Sequence, residues 1–101
     1  MPAEHPTQGT AKLVMEGSKT VIELDQPFKT DAGSDLLVIL YRWGNVPIGG
    51  LKSPDYVVLG KLPKTQGQQR YTVPAHVDVS RYQSVAVWCR QFNATFGCAK
   101  L

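Results

Sequence analysis

The 101 residues carry 43% apolar and 19% charged side chains and a formal net charge of +3, a balance that suits one globular domain and excludes a disordered chain. Lysines and arginines are scattered with no run of three, so the clustering that a nucleic-acid surface needs is missing. No stretch approaches the roughly 18–20 apolar residues of a membrane helix, and the opening MPAEHPTQGT lacks the apolar centre of a signal peptide.

Short β-branched runs separated by Gly, Pro, Asn and Asp predict strands in chain order. Residues 11–16 and 19–25 read as a hairpin joined by Gly17-Ser18, because Gly tolerates the positive φ of a two-residue turn. Residues 36–43 are nearly continuous in apolar side chains, as in a strand buried on both faces. Further strands are predicted at 56–62, at 69–73 (stopped by Pro74), at 84–92 and at 95–101, with one helical turn at 78–82. Residues 1–9 read as an extended N-terminal segment of a single domain, 1–101. Seven to eight strands in this length predict an all-β protein, an antiparallel β-sandwich. The long connections at 27–35 and 44–55 either carry function or cross between sheets.

Both cysteines fall in the last predicted hairpin, SVAVWCRQFNATFGCAKL. Alternation puts Val85, Val87 and Cys89 on one face and Ala86, Trp88 and Arg90 on the other. If Asn93-Ala94 is a two-residue turn, Cys89 faces Cys98 in a non-hydrogen-bonded pair, within reach of a disulfide. That register also sets Trp88 opposite Ala99 and Ala86 opposite Leu101. Trp88 then faces the core, and Cys89 takes the more peripheral side.

Other site chemistries are poorly served. Blue copper needs two His and a Cys, with a weak Met. The chain has His5, His76, Cys89, Met1 and Met15, but no His or Met after Cys89. Zinc through Cys89, Cys98, His5 and His76 lacks tight ligand spacing. A thiol enzyme with His76 as base lacks a third, orienting group. Trp43 and Trp88 read as packing residues. On spacing alone, a thiol in a buried strand is an inert small hydrophobe.

Three segments nevertheless resemble a known family: YVVLGKL (56–62), GQQRYTVP (67–74) and YQSVAVWCRQFNATFGCAKL (82–101). With EHPTQGTAKL and FKTDAGSDLLVIL upstream, the chain is similar over nearly its whole length to the DM-thirteen domain, the electron-transfer DM domain. It looks most like the bacterial branch of a family also found beside DOMON domains in Skeletor-type proteins. The resemblance implies an exported, extracytoplasmic redox module (periplasmic, cell-surface or secreted) acting with a redox partner protein and without turnover of its own. It also implies that Cys89 is the family cysteine, acting as a free thiol or as the ligand of a group such as haem, with Trp88 as supporting packing. Cys98 departs from the family's single-cysteine pattern. The rival reading is a binding or adhesion module in which Cys89 is structural.

Overall fold

The computed structural model describes residues 7–101; the N-terminal positions 1–6, including His5 and Met1, lie outside it. Among the described residues the chain forms nine strands: β1 (Thr7–Gln8), β2 (Ala11–Glu16), β3 (Lys19–Leu24), β4 (Lys29–Thr30), β5 (Leu36–Tyr41), β6 (Tyr56–Lys61), β7 (Gln69–Thr72), β8 (Ser84–Cys89) and β9 (Ala94–Lys100). A four-stranded sheet, β6-β5-β8-β9, lies against a three-stranded sheet, β2-β3-β7, while β1 and β4 pair separately. All pairings are antiparallel. The fold is the expected all-β architecture. The predicted turn at 78–82 is a 3-10 turn over Val79–Arg81, capped by the Asp78 carboxylate accepting from Ser80 N–H.

Gly17 adopts φ 61° and closes the β2–β3 hairpin as its sequence predicts. β5 is buried at every residue, and so is β8. These two central strands fill two layers of core. On one side, Leu24 and Phe28 meet Leu36, Val87, Cys89 and Phe96, and Ile22 and Val73 meet Val38, Leu40 and Val85. This is the interior between the sheets. On the other side, Leu37, Ile39, Tyr41, Ala86 and Trp88 pack under Leu51 and Val46 of the 42–55 connection. The long loop therefore acts as a third layer.

This layering corrects the expected faces. Cys89 points into the space between the sheets and is 1% exposed. Trp88 is equally buried, but beneath the loop on the opposite side. Alternation separated the two faces correctly and could not rank them, because central strands covered on both sides are apolar on both sides.

The last hairpin also differs from its predicted register. β8 ends at Cys89, and residues 90–93 form the turn, with Asn93 N–H donating to the Arg90 carbonyl at 3.2 Å. Asn93 takes φ 48°, a left-handed conformation that Asn tolerates better than most residues. Cys89 consequently pairs with Ala94, Trp88 with Thr95, and Ala86 with Cys98, around a bulge that leaves Phe96 as the extra residue. Opposite Ala99 stands Val85, and opposite Lys100 stands Ser84. Beyond the bulge the displacement from the predicted register is three residues, and an odd displacement transfers side chains to the other face, here from Gly97 to Lys100. Cys98 therefore joins the Trp88 layer, on the far side of the sheet from Cys89. Both cysteines are free.

Candidate functional site

Cys89 occupies the end of β8, in a pocket of side chains from both sheets: Leu24, Phe28, Leu36, Val87 and Phe96. Its thiol donates to the main-chain carbonyl of Ser34 at 2.9 Å. Residues 31–35 are all exposed and run across this end of the strand, so the thiol lies one thin layer of chain beneath the surface.

That layer is fastened to the turn that follows Cys89. Arg90 donates through Nε and Nη2 to the two carboxylate oxygens of Asp35, at 3.0 and 3.3 Å. The Arg90 backbone N–H donates to the Asp35 carbonyl at 3.2 Å, and Ser34 Oγ donates to Gln91 Oε1 at 2.7 Å. Asp35 has φ 54°, which turns the chain sharply into β5. Gly33 fits edge-on to Phe96: a Cβ there would stand 2.7 Å from the ring's Cζ. Arg90 thus meets the cysteine's neighbourhood through the loop clamp, although its own side chain leaves the opposite face of β8.

The clamp is polar and half-solvated, with the Arg90 and Asp35 side chains 54% and 29% exposed. Exposed ion pairs contribute about 0.2–1 kcal/mol. Arg90→Ala is therefore expected to lower global stability by under about 1 kcal/mol while raising the alkylation rate of Cys89 several-fold. Chemical denaturation and site-resolved mass spectrometry on one sample set check both parts.

Trp88 is anchored separately. Its indole Nε1 donates to Asn93 Oδ1 at 3.0 Å, and its ring lies 4.8 Å from that of Tyr56. Asn93 also accepts from Leu51 N–H at 2.9 Å and donates through Nδ2 to the Leu51 carbonyl at 3.1 Å. One amide thereby ties the hairpin turn, the buried indole and the 42–55 loop together. Thr95 adds two bonds to the same loop: Oγ1 to the Pro47 carbonyl at 2.6 Å, and N–H to the Ile48 carbonyl at 2.9 Å. From the sequence Asn93 reads as a turn residue, and the left-handed tolerance of Asn is the signal for its position.

The remaining candidates do not gather. His76 is exposed in the turn after β7, and Cys98 belongs to the layer opposite Cys89. Among the described residues no group of three or more His, Cys, Asp or Glu side chains converges on a point. Trp43 is 47% exposed and packs edge-on to Tyr41, with the Arg42 guanidinium 5.4 Å from its ring centre. No helix among the described residues is long and apolar enough to cross a membrane.

The residues around Cys89 do not fit a haem. A thiolate ligand must direct its sulfur at an iron with room for a porphyrin beside it. Here the sulfur addresses a main-chain carbonyl within packed apolar side chains. The hollow of about 510 Å³ bordered by Gly33, Asp35, Leu36 and Lys61 does not reach it.

A family model described as Electron transfer DM13 matches residues 2–101. No curated protein and no solved structure matches the chain.

Proposed function

The chain belongs to the electron transfer DM13 family, and from that premise we propose that it is an extracytoplasmic thiol redox module whose working group is Cys89, uncovered when residues 31–35 lift from the β8–β9 turn. The observation that carries this reading is the covering of Cys89. A fully buried thiol is held by one S–H···O bond to an exposed loop, and polar, solvent-facing contacts fasten that loop. The extracytoplasmic setting rests on the family resemblance.

Reactivity follows thiolate fraction and access. With the loop in place Cys89 is inaccessible; with the loop lifted, its thiolate attacks a disulfide of a redox partner protein. The new S–S bond to Cys89 forms as the partner's S–S bond breaks, and the electron pair leaves on the departing partner thiolate. Cys98 takes no part in resolving this mixed disulfide within one chain, because the sheet separates the two sulfurs. One cysteine and an external partner suffice.

Glutathione disulfide is a suitable surrogate. The expected product is a single glutathione adduct on Cys89, lost in Cys89→Ser and retained in Cys98→Ser. Adduct confined to Cys98 would overturn the assignment. Haem added in parallel is expected to produce no absorption band that depends on Cys89; such a band, lost in Cys89→Ala and kept in Cys98→Ala, would replace the thiol reading with ligation. The near-zero exposure of Cys89 favours a second reading, a binding module in which the cysteine only packs. An unmodified Cys89 in folded protein would select it.

A further inference from the structure

β2 is an edge strand. Among the described residues it pairs with β3 and with no second strand. The two-residue turn makes Glu16 and Lys19 a hydrogen-bonded pair, and bonded pairs then recur at every second residue. The 3.1 Å bond from Asp25 N–H to the Thr10 carbonyl continues the same phase. Lys12, Val14 and Glu16 therefore direct their backbone groups at β3. Ala11, Leu13 and Met15 direct theirs outward, away from the sheet.

The exposed side chains follow the same division. Leu13 and Met15 share the face of Ile22 and Thr20 but overhang the sandwich, at 37% and 60% exposure. Lys12 and Glu16 share the other face with Glu23 and Arg70, where Lys12–Glu23 spans 3.6 Å, Arg70–Glu23 spans 3.4 Å, and Arg70 also pairs with Glu16. A six-residue edge with two large apolar side chains and no Pro is a template for strand addition.

We propose that β2 pairs antiparallel with β2 of a second copy about a two-fold axis at Val14, joining two three-stranded sheets into one of six strands. The order Lys12-Leu13-Val14-Met15-Glu16 is complementary to itself when reversed. Lys12 of each copy stands opposite Glu16 of the other, Leu13 opposite Met15, and Val14 opposite Val14. The backbone phase agrees independently: the outward groups of Leu13 and Met15 meet as hydrogen-bonded pairs, and Val14 forms the non-bonded pair on the axis. A one-residue slip would oppose an outward-directed residue with an inward-directed one. A parallel pairing in register would stack Lys12 on Lys12. The interface is closed and isologous.

One short strand per copy buries less than a standard interface of about 1,600 Å², so the association is concentration-dependent. Sedimentation velocity between about 10 µM and about 1 mM is expected to show wild-type protein passing from monomer to dimer within that span of affinities. Leu13→Pro removes an outward N–H and no β2–β3 bond, and is expected to stay monomeric while folded by circular dichroism. Lys12→Glu and Glu16→Lys are each expected to be monomeric alone, to form a heterodimer when mixed in equal amounts, and to regain the homodimer when combined in one chain. Wild-type protein that remains monomeric throughout, leaving the edge for another protein's strand, overturns the proposal. So does a dimer that ignores Leu13→Pro and both charge reversals.

Discussion

Trp88→Ala is expected to destabilise the protein by about 3–5 kcal/mol, the usual cost of deleting a large buried aromatic side chain. The indole is 2% exposed, packs on Tyr56, and lies between the central sheet and the 42–55 loop. The loop has little means of collapsing into the space left behind, because Asn93 and Thr95 hold its backbone in place. Trp88→Phe retains much of the ring and is expected to lose less, its loss combining the vacated volume with the bond to Asn93. Urea denaturation gives both values. A loss below about 1 kcal/mol for the alanine variant would contradict the placement of Trp88 in a packed layer.

Asn93→Ala is the second large effect, about 2–5 kcal/mol, and it has two separable causes. The buried indole N–H and the Leu51 N–H lose their shared acceptor, and unsatisfied buried donors cost about 1–3 kcal/mol. Alanine at φ 48° adds the left-handed penalty, roughly 1–2 kcal/mol for a residue with a Cβ. Asn93→Gly keeps the first cause, since glycine has no side-chain acceptor, and relieves only the second. The glycine variant is therefore expected to lie between wild type and the alanine variant. Equal losses in the two variants would show that the backbone conformation contributes nothing, and the left-handed turn would then not be what sets the register of β9.

These two residues mark where the sequence was legible. Every predicted strand exists, because β-branched runs bounded by Gly, Pro, Asn and Asp are a local signal. The two-residue strands β1 and β4 carry no period to read. They form because Thr7 lies against Gly97, where a Cβ would come within 2.6 Å of it, and donates to the Phe96 carbonyl at 2.9 Å. The register of the last hairpin depended on which residues make the turn, and a four-residue turn ending in left-handed Asn93 replaced the expected pair Asn93-Ala94. That displacement removed the juxtaposition of Cys89 and Cys98. The covering of Cys89 was illegible for a different reason: its acceptor is the Ser34 carbonyl, a backbone group that every residue possesses.

The family match and the buried thiol meet in one claim: Cys89 becomes reactive through local opening of residues 31–35 and not through unfolding. Local openings cost less than global unfolding and expose little surface. Their denaturant dependence is correspondingly shallow, since the slope follows the area exposed. The most direct test is the alkylation rate of Cys89 in native protein across urea concentrations below the unfolding transition. The expected rate is nearly independent of urea in that range, and Arg90→Ala raises it several-fold. A rate that climbs with the full slope of global unfolding, unchanged by Arg90→Ala, would contradict that claim and leave Cys89 as a core residue only.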